Sequence, residues 1–330
     1  MFYSPLNRST IEPINMTTIY QQKLLYPEIL WERPVHYYKA QSGRILIVAG
    51  SRGMQGAALL TCAAVFRCGT GVLTLAFPEE LKNSYTDILP EAMTLALPQT
   101  HSGSLSRKAK SLIIEQLRAV DLVIIGPGLS TNTETVQLIW ELLPDINKPL
   151  VIDADGLKAL AYGIDAIRGK EGIEKVREYF RDLKNKIIIT PHPGEAGHIL
   201  AALGVENKKC KSEYVEHHKE ECAQLIHDHL GTIVVLKGSG TVIYNGKNLI
   251  VDRVGGPELG TSGSGDVLSG IVGSFVAQNN KKPFKATATA VFLHSLAGKL
   301  AKEELGERSV MAGDIIKYLP KAIKKAELDE

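Results

Sequence analysis

The chain has 330 residues, 44% of them hydrophobic and 22% charged, with a formal net charge of +2. That balance is ordinary for a soluble globular protein and gives no electrostatic basis for binding nucleic acid or a membrane. No apolar run reaches the roughly 18–20 residues of a membrane span, and Cys62, Cys68, Cys210 and Cys222 form no CxxC pair, which points to free thiols and a cytoplasmic protein.

Residues 1–38 read as a lead-in, irregular or partly helical, without the apolar stretch of a signal peptide. Arg44–Ala49 is a short apolar run rich in β-branched residues, hence a buried strand. It ends in Gly50-Ser51-Arg52-Gly53-Met54-Gln55-Gly56, and a helix follows through Ala57–Arg67. Strand, glycine turn, helix is the general form of a phosphate site. The spacing is GxxGxxG, however, so the dinucleotide fingerprint fails, and small residues at 56–58 also suit close helix–sheet packing. Val72–Phe77 is the next strand, closed by Pro78.

Asp121–Ile125 is another buried strand, followed by Gly126-Pro127-Gly128-Leu129-Ser130. Thr131-Asn132-Thr133-Glu134 then has capping-box spacing and starts a helix. Pro149–Ile152 runs into Asp153-Ala154-Asp155, two acids at a strand's carboxyl end, where open parallel sheets bind ligands. Either acid could hold a metal or a sugar hydroxyl, and Asp155 could equally be a helix cap. Residues 163–185 read as a solvated helical face.

Lys186–Thr190 is a fifth strand and ends in Pro191-His192-Pro193-Gly194-Glu195. A histidine between two prolines cannot join a helix interior. At a strand end it reads as a site residue rather than a core residue. Residues 212–230 read as a solvated helix carrying His217, His218, Cys222, His227 and His229. His218 and Cys222 are four apart, but no second pair has ligand spacing, so no metal is expected there.

Thr232–Leu236 is a sixth strand, turned by Lys237-Gly238-Ser239-Gly240 into Thr241–Tyr244. Asn245-Gly246 is a hairpin turn into Asn248–Val251. Gly260-Thr261-Ser262-Gly263-Ser264-Gly265-Asp266 then opens a helix near 266–278, with further helices near 284–305 and 312–327. A glycine-rich turn leaves backbone N–H groups unpaired at a helix start, a place for a phosphate or an oxyanion. Asp266 beside it reads in two ways: a proton acceptor for an attacking hydroxyl, or an N-cap. Strand–helix alternation predicts an α/β fold of three layers, with a mostly parallel sheet flanked by helices and a small antiparallel hairpin, in one domain over 39–330.

Together, Gly50–Gly56 with Ala57 and Ala58, Gly126–Leu129, Asp153–Asp155, Thr190–Glu195, Lys237–Thr241 and Gly263–Asp266 resemble the ADP- or ATP-dependent NAD(P)H-hydrate dehydratases of the ribokinase-like superfamily. The resemblance covers about residues 39–327. GSGD marks the superfamily; PHPGE and GPGL mark the dehydratase branch. Two elements depart from the pattern: Gly256-Pro257-Glu258 stands where an Asn-Pro-Gly-like element is usual, and Lys39-Ala40 where Lys-Gly is usual.

The resemblance implies removal of water from hydrated NADH or NADPH. A nucleotide's terminal phosphoryl moves to the hydrate hydroxyl, and phosphate then leaves. Asp266 would take the hydroxyl proton, and the N–H groups of Gly263, Ser264 and Gly265 would hold the phosphoryl charge. The nucleotide, ADP or ATP with Mg²⁺, would lie along Lys237, Gly238, Ser239, Gly240, Thr241 and Gly265. The hydrate would contact Ala57, Gly128, His192 and Asp266. Many bacterial relatives carry an N-terminal epimerase domain; residues 1–38 are too short for one, so a separate NAD(P)H-hydrate epimerase is the expected functional partner. Assembly as a homo-oligomer stays open. A kinase of a small molecule such as hydroxyethylthiazole would use the same Asp266 and anion site. A nucleotide sensor without turnover would gain nothing from a carboxylate beside phosphate.

Overall fold

In β2 (Arg44–Val48) of the computed structural model, Ile45 and Ile47 face one hydrophobic core while Leu46 and Val48 face another. That period of two, with both sets apolar, defines a central strand covered on both sides. The structure describes residues 17–86, 88–183 and 186–328. Among them ten strands make one sheet: β1 (Thr18–Gln21), β2, β3 (Val72–Pro78), β4 (Met93–Leu97), β5 (Leu122–Ile125), β6 (Leu150–Ile152), β7 (Ile187–Ile189), β8 (Ile233–Leu236), β9 (Val242–Tyr244) and β10 (Leu249–Asp252). Their spatial order is β1-β10-β9-β8-β7-β6-β5-β2-β3-β4. All neighbours are parallel except β9, which runs antiparallel to both β8 and β10.

Helices Gln55–Arg67, Ser264–Gln278, Pro283–Leu305 and Ala312–Leu328 cover one face. Thr133–Leu142, Asp155–Glu171, Pro193–Ala202 and Lys219–Leu230 are among those on the other. Each fully buried Leu, Ile or Val contributes about 1.5–3 kcal/mol, so the two cores fix which face each helix takes. This is the expected three-layer arrangement. The Asn245-Gly246 turn forms as read, with Asn245 Oδ1 accepting from the N–H groups of Lys247 and Asn248. None of the described helices is long and apolar enough to cross a membrane.

The sequence reading lacked two strands. β1 lies inside the segment taken as lead-in and pairs with β10; β4 forms the other edge. Both are short, and most of their side chains are not fully buried, so neither carries a long apolar run. The helix expected across 212–230 is broken: Ser212–His217 ends at His218, and a second helix runs Lys219–Leu230. The capping spacing at Thr131 is also off by one. Asn132 is the N-cap, and its Oδ1 accepts from Glu134 N–H at 2.9 Å.

One packing detail sets the position of the Ser264–Gln278 helix. A Cβ at Gly270 would overlap the Thr61 carbonyl oxygen, and one at Gly273 would overlap the Ile124 side chain. The two glycines let this helix lie against both the Gln55–Arg67 helix and β5, which brings its first turn over the carboxyl ends of the strands.

Candidate active site

Five adjacent strands, β8, β7, β6, β5 and β2, present their carboxyl ends along one edge. From β2 the chain passes to β3 and β4 on one side, then returns to place β5 on the other. Loops leaving β2 and β5 therefore diverge, which opens the crevice where such sheets bind ligands. Ala57 and Gly128 meet there, since a Cβ on Gly128 would stand 3.1 Å from Ala57 Cβ. Ser51 Oγ donates to Gly128 O at 2.8 Å, and Gly50 N–H to Pro127 O at 2.8 Å, so the two loops are tied.

The glycine-rich turn enters the crevice from above. Gly263 is the N-cap of the Ser264–Gln278 helix, at φ 86°. A side chain there would face both the left-handed backbone penalty and a Cβ only 2.5 Å from Leu60 Cδ1. The Ser264 N–H, expected among the groups holding the phosphoryl charge, instead donates to Thr261 O at 3.2 Å, and Val267 N–H donates to Gly263 O. The N–H groups of Gly263, Gly265 and Asp266 have no acceptor among the described residues. They stand at the positive end of the helix dipole. The Ser264 side chain turns inward instead, with Oγ 3.2 Å from His294 Nε2.

Asp266 is the third helical residue and caps nothing. Its carboxylate makes no hydrogen bond or ion pair with a described residue, while its backbone oxygen accepts from Thr61 Oγ1 and Ser269 Oγ. Burial and the nearby Asp153 charge push its pKa up to about 7, against the pull of Lys237. A carboxylate held unpaired and basic in a cleft has the properties of a proton acceptor.

Lys237, at the end of β8, is the counter-charge. Its ammonium lies 2.9 Å from Asp153 Oδ1 and 3.8 Å from Glu195 Oε2. A Cβ on Gly265 would come within 3.1 Å of the same Nζ, so the helix start sits directly over this cation. Burial works against the charge on Lys237, but the Asp153 and Glu195 carboxylates overcome it and hold the pKa above the usual lysine value. Asp153 comes from the end of β6, in a tight turn where Ala154 takes φ 49° and ψ −122° and Gly156 N–H closes back to Asp153 O. That conformation favours glycine, and strain of this kind gathers at functional sites. Asp155 does not cap its own helix. It accepts from Ser130 N–H and Lys158 Nζ, which joins the β5 and β6 loops.

His192 is the N-cap of the Pro193–Ala202 helix, with Pro193 at the first position. Its Nδ1 accepts from the N–H groups of Gly194 and Glu195, so the ring proton is on Nε2. Burial and the Lys237 charge lower its pKa, so it is neutral at pH 7. Glu195 is the reciprocal half of the capping box, accepting from His192 N–H at 2.8 Å. Burial raises the Glu195 pKa in spite of Lys237. Lys237 N–H donates to Pro191 O, which locks this loop to the next one.

The segment Lys237–Thr241 passes along the edge beyond β8, with Gly238 and Gly240 at positive φ. Ser239 N–H donates to Glu216 Oε1, and Asp252 N–H to Thr241 O. Of the histidines at 217–229, His218 stacks on Tyr214, His227 Nδ1 lies 2.7 Å from Thr232 O, and His229 Nδ1 lies 2.8 Å from Leu225 O. Among the described residues no group of three His, Cys, Asp or Glu side chains could hold a metal alone. Asp153 and Glu195 stand together on Lys237 at this helix end.

Sequence reasoning missed His294 and Thr61, which reach Ser264 and Asp266 from two other helices, and Ser295, which holds Asp252 at the end of β10. Their only signal is a polar side chain at a position that periodicity assigns to the core.

The family profile described as NAD(P)H-hydrate dehydratase matches residues 45–321. The chain is 35% identical over 291 residues to the bifunctional NAD(P)H-hydrate repair enzyme Nnr of Moorella thermoacetica, covering 88% of this chain and 51% of that protein. It thus spans about half the length of the curated relatives it matches. Among solved structures it is similar to the ADP/ATP-dependent NAD(P)H-hydrate dehydratase of Bacillus subtilis, co-crystallised with ATP and Mg²⁺, at TM-score 0.70 and 25% identity, covering 90% of this chain and 94% of that one. The likeness to hydroxyethylthiazole kinase of Pyrococcus horikoshii, at TM-score 0.54 and 17% identity over 86% of this chain and 89% of that one, shows the shared fold alone. With a ribokinase-like sheet, these loops at its carboxyl edge and a profile match over most of its length, the chain belongs to the NAD(P)H-hydrate dehydratase family.

Proposed function

We propose that this chain returns hydrated NADH or NADPH to NAD(P)H at the expense of ADP or ATP. The observation that carries the reading is Asp266, a basic, unpaired carboxylate at a helix start whose N–H groups are unengaged. In this reading the hydrate hydroxyl lies against Asp266, which accepts its proton as oxygen attacks the terminal phosphorus. The oxygen–phosphorus bond forms while the bond to the nucleoside phosphate breaks. The Gly263, Gly265 and Asp266 N–H groups and the Lys237 ammonium face the charge on the transferring group, the main source of rate in phosphoryl transfer. Phosphate then departs with the carbon–oxygen electron pair as the ring nitrogen lone pair pushes in to give an iminium, and loss of a proton from the adjacent ring carbon to water forms the new carbon–carbon double bond.

Lys237–Thr241 and Gly265 border the nucleotide in this reading, and Ala57, Gly128 and His192 the hydrate. Asp153 and Glu195 would share with the nucleotide the holding of a magnesium ion, which would neutralise phosphate charge. Residues 39–330 form the catalytic unit, braced at its edge by β1. A cytoplasmic location belongs to the same reading, supported by four cysteines that are all free.

The test is to mix the protein with Mg²⁺, NADH hydrate and either nucleotide, and to follow NADH absorbance and free phosphate. Equal amounts of NADH and phosphate are expected. A stable phosphate ester would make the protein a kinase, and no turnover with tight nucleotide binding would make it a sensor.

His192 tests the hydrate side. His192→Ala removes the Nε2 donor and should raise KM for the hydrate roughly tenfold, as for one lost hydrogen bond, with nucleotide affinity unchanged. It also removes an N-cap, costing about 1 kcal/mol of stability. His192→Asn keeps a capping side chain but lacks the Nε2 donor, so it should retain stability and show the same KM change. An unaltered KM in both variants would remove His192 from the hydrate site.

A further inference from the structure

The loop from Asp252 to Ser264 joins β10 to the helix that carries Asp266, and it includes the glycine-rich turn. Consecutive residues of the Pro283–Leu305 helix hold its two ends. His294 Nε2 lies 3.1 Å from Ser264 O and 3.2 Å from Ser264 Oγ. Ser295 Oγ donates to Asp252 Oδ2 at 2.7 Å. The middle of the loop rests on the same helix one to two turns further on: Glu258 Oε1 accepts from Gly256 N–H, Glu258 Oε2 lies 3.5 Å from Lys302 Nζ, and Leu259 packs on Gly298.

Apart from Thr287 and Thr289, the rest of that helix is apolar where it is buried, as a core helix should be. His294 and Ser295 are 5% and 2% exposed. Burying a polar side chain is unfavourable unless it is hydrogen-bonded, and a leucine would fill such a position at no desolvation cost. Burial lowers the His294 pKa to about 4. The ring is therefore neutral at pH 7. Proton on Nε2, it is a single donor shared by the two Ser264 oxygens. The Ser264 carbonyl belongs to the first residue of the helix, so its placement sets where the Gly265 and Asp266 N–H groups and the Asp266 carboxylate stand.

We infer that His294 and Ser295 are positioning residues for phosphoryl transfer: together they fix both ends of the 252–264 loop and thereby hold the anion-binding turn and Asp266 in register with the nucleotide. The inference rests on the proposed function, in that the turn is taken to meet the transferring phosphoryl group. Displacements of about 1 Å at such a site cost about 10²-fold in rate.

The experiment compares His294→Leu, His294→Gln, Ser295→Ala and, as a control on the same helix, Val291→Ala, whose residue is buried in the core. Melting temperature, kcat, KM for each substrate and the affinity for a non-hydrolysable nucleotide analogue are measured for all four. His294→Leu should lower kcat by about 10–10²-fold and weaken the nucleotide analogue, with KM for the hydrate unchanged. His294→Gln places an N–H donor near the Nε2 position and should recover most of both losses. Ser295→Ala should weaken the nucleotide analogue more than the hydrate. Val291→Ala should lose melting temperature with its kinetic constants intact.

If His294→Leu matches Val291→Ala in kinetics, or if His294→Gln recovers nothing, the inference is wrong. If His294→Leu does not fold, His294→Gln and Ser295→Ala decide it: analogue affinity unchanged in both would overturn it. Absence of hydrate turnover in the unaltered protein would refute the proposed function, while the analogue affinities would still report on the clamp.

Discussion

Asp266→Asn should fold, bind nucleotide at least as tightly as the parent protein, and turn over at least 10²–10⁴-fold more slowly, the range for loss of a general base. Asn has the same shape and Asp266 caps no N–H group, so the helix start loses nothing. Removing a negative charge beside the phosphates can only favour the nucleotide. For the parent protein, kcat/KM should rise with pH up to about 7, where the free Asp266 carboxyl titrates, and then level. The residual rate of Asp266→Asn should lack that rise.

Stability follows the same group with a definite sign. Its pKa in the fold, about 7, is above the ordinary value of 3.8. The folded state therefore binds the proton more tightly than the unfolded chain does, and this contribution is complete below about pH 4. It is lost as pH climbs through 7. Asp266→Asn should match the parent in Tm at acid pH and exceed it at pH 8. Melting curves across that range, beside stopped assays of phosphate release, check both statements. Near-normal turnover by Asp266→Asn would remove the base from the mechanism.

Lys237→Met should be the most destabilising single change in the site. It leaves the Asp153 and Glu195 carboxylates, 1% and 7% exposed, without their cation. Removing one partner of a buried ion pair typically costs about 3–5 kcal/mol. The double variant Asp153→Asn, Lys237→Met should recover much of this, because it removes a stranded charge. It should not recover turnover, since in the proposed mechanism the cation beneath the glycine-rich turn faces the phosphoryl group and is still missing. Chemical denaturation and steady-state rates of the two variants separate these effects. Equal stability of Lys237→Met and the parent protein would mean that the ammonium does not neutralise the pair.

What the sequence disclosed follows from range. Central parallel strands are continuous apolar runs, so β2, β5, β7 and β8 are legible one at a time, and a glycine, proline or histidine at each end marks the loop that carries chemistry. β1 and β4 lie at the edges with largely unburied side chains and give no such run. His192 and Asp266 are legible because each sits in a local pattern. The partnership of Lys237 with Asp153 spans 84 positions. Nothing in either neighbourhood announces the other. His294 is hidden for a related reason: within its apolar helix it has no local motif, and only the fold shows that it faces Ser264. The cap alternative for Asp266 was decided by where the helix begins, which propensity locates only to within a residue or two.

The pairing of Thr18 with Leu249 has a consequence for how the protein is made. Strands β2 to β8 can assemble while the ribosome is still working. β1 emerges before any of them, yet its neighbour in the finished sheet is the last strand to be synthesised. At about 5–20 residues per second, it waits roughly 10–50 s for that neighbour. A strand of only four residues, with Ile19 and Tyr20 exposed and Gln21 alone buried, forms a poor template for wrong partners during the wait, as short edge strands do in general. The same arrangement makes β1 a latch that closes after the rest and opens before it. Native-state hydrogen exchange should therefore find the backbone amides of β1 less protected than those of β2, and equal protection would show that the latch closes with the rest of the sheet.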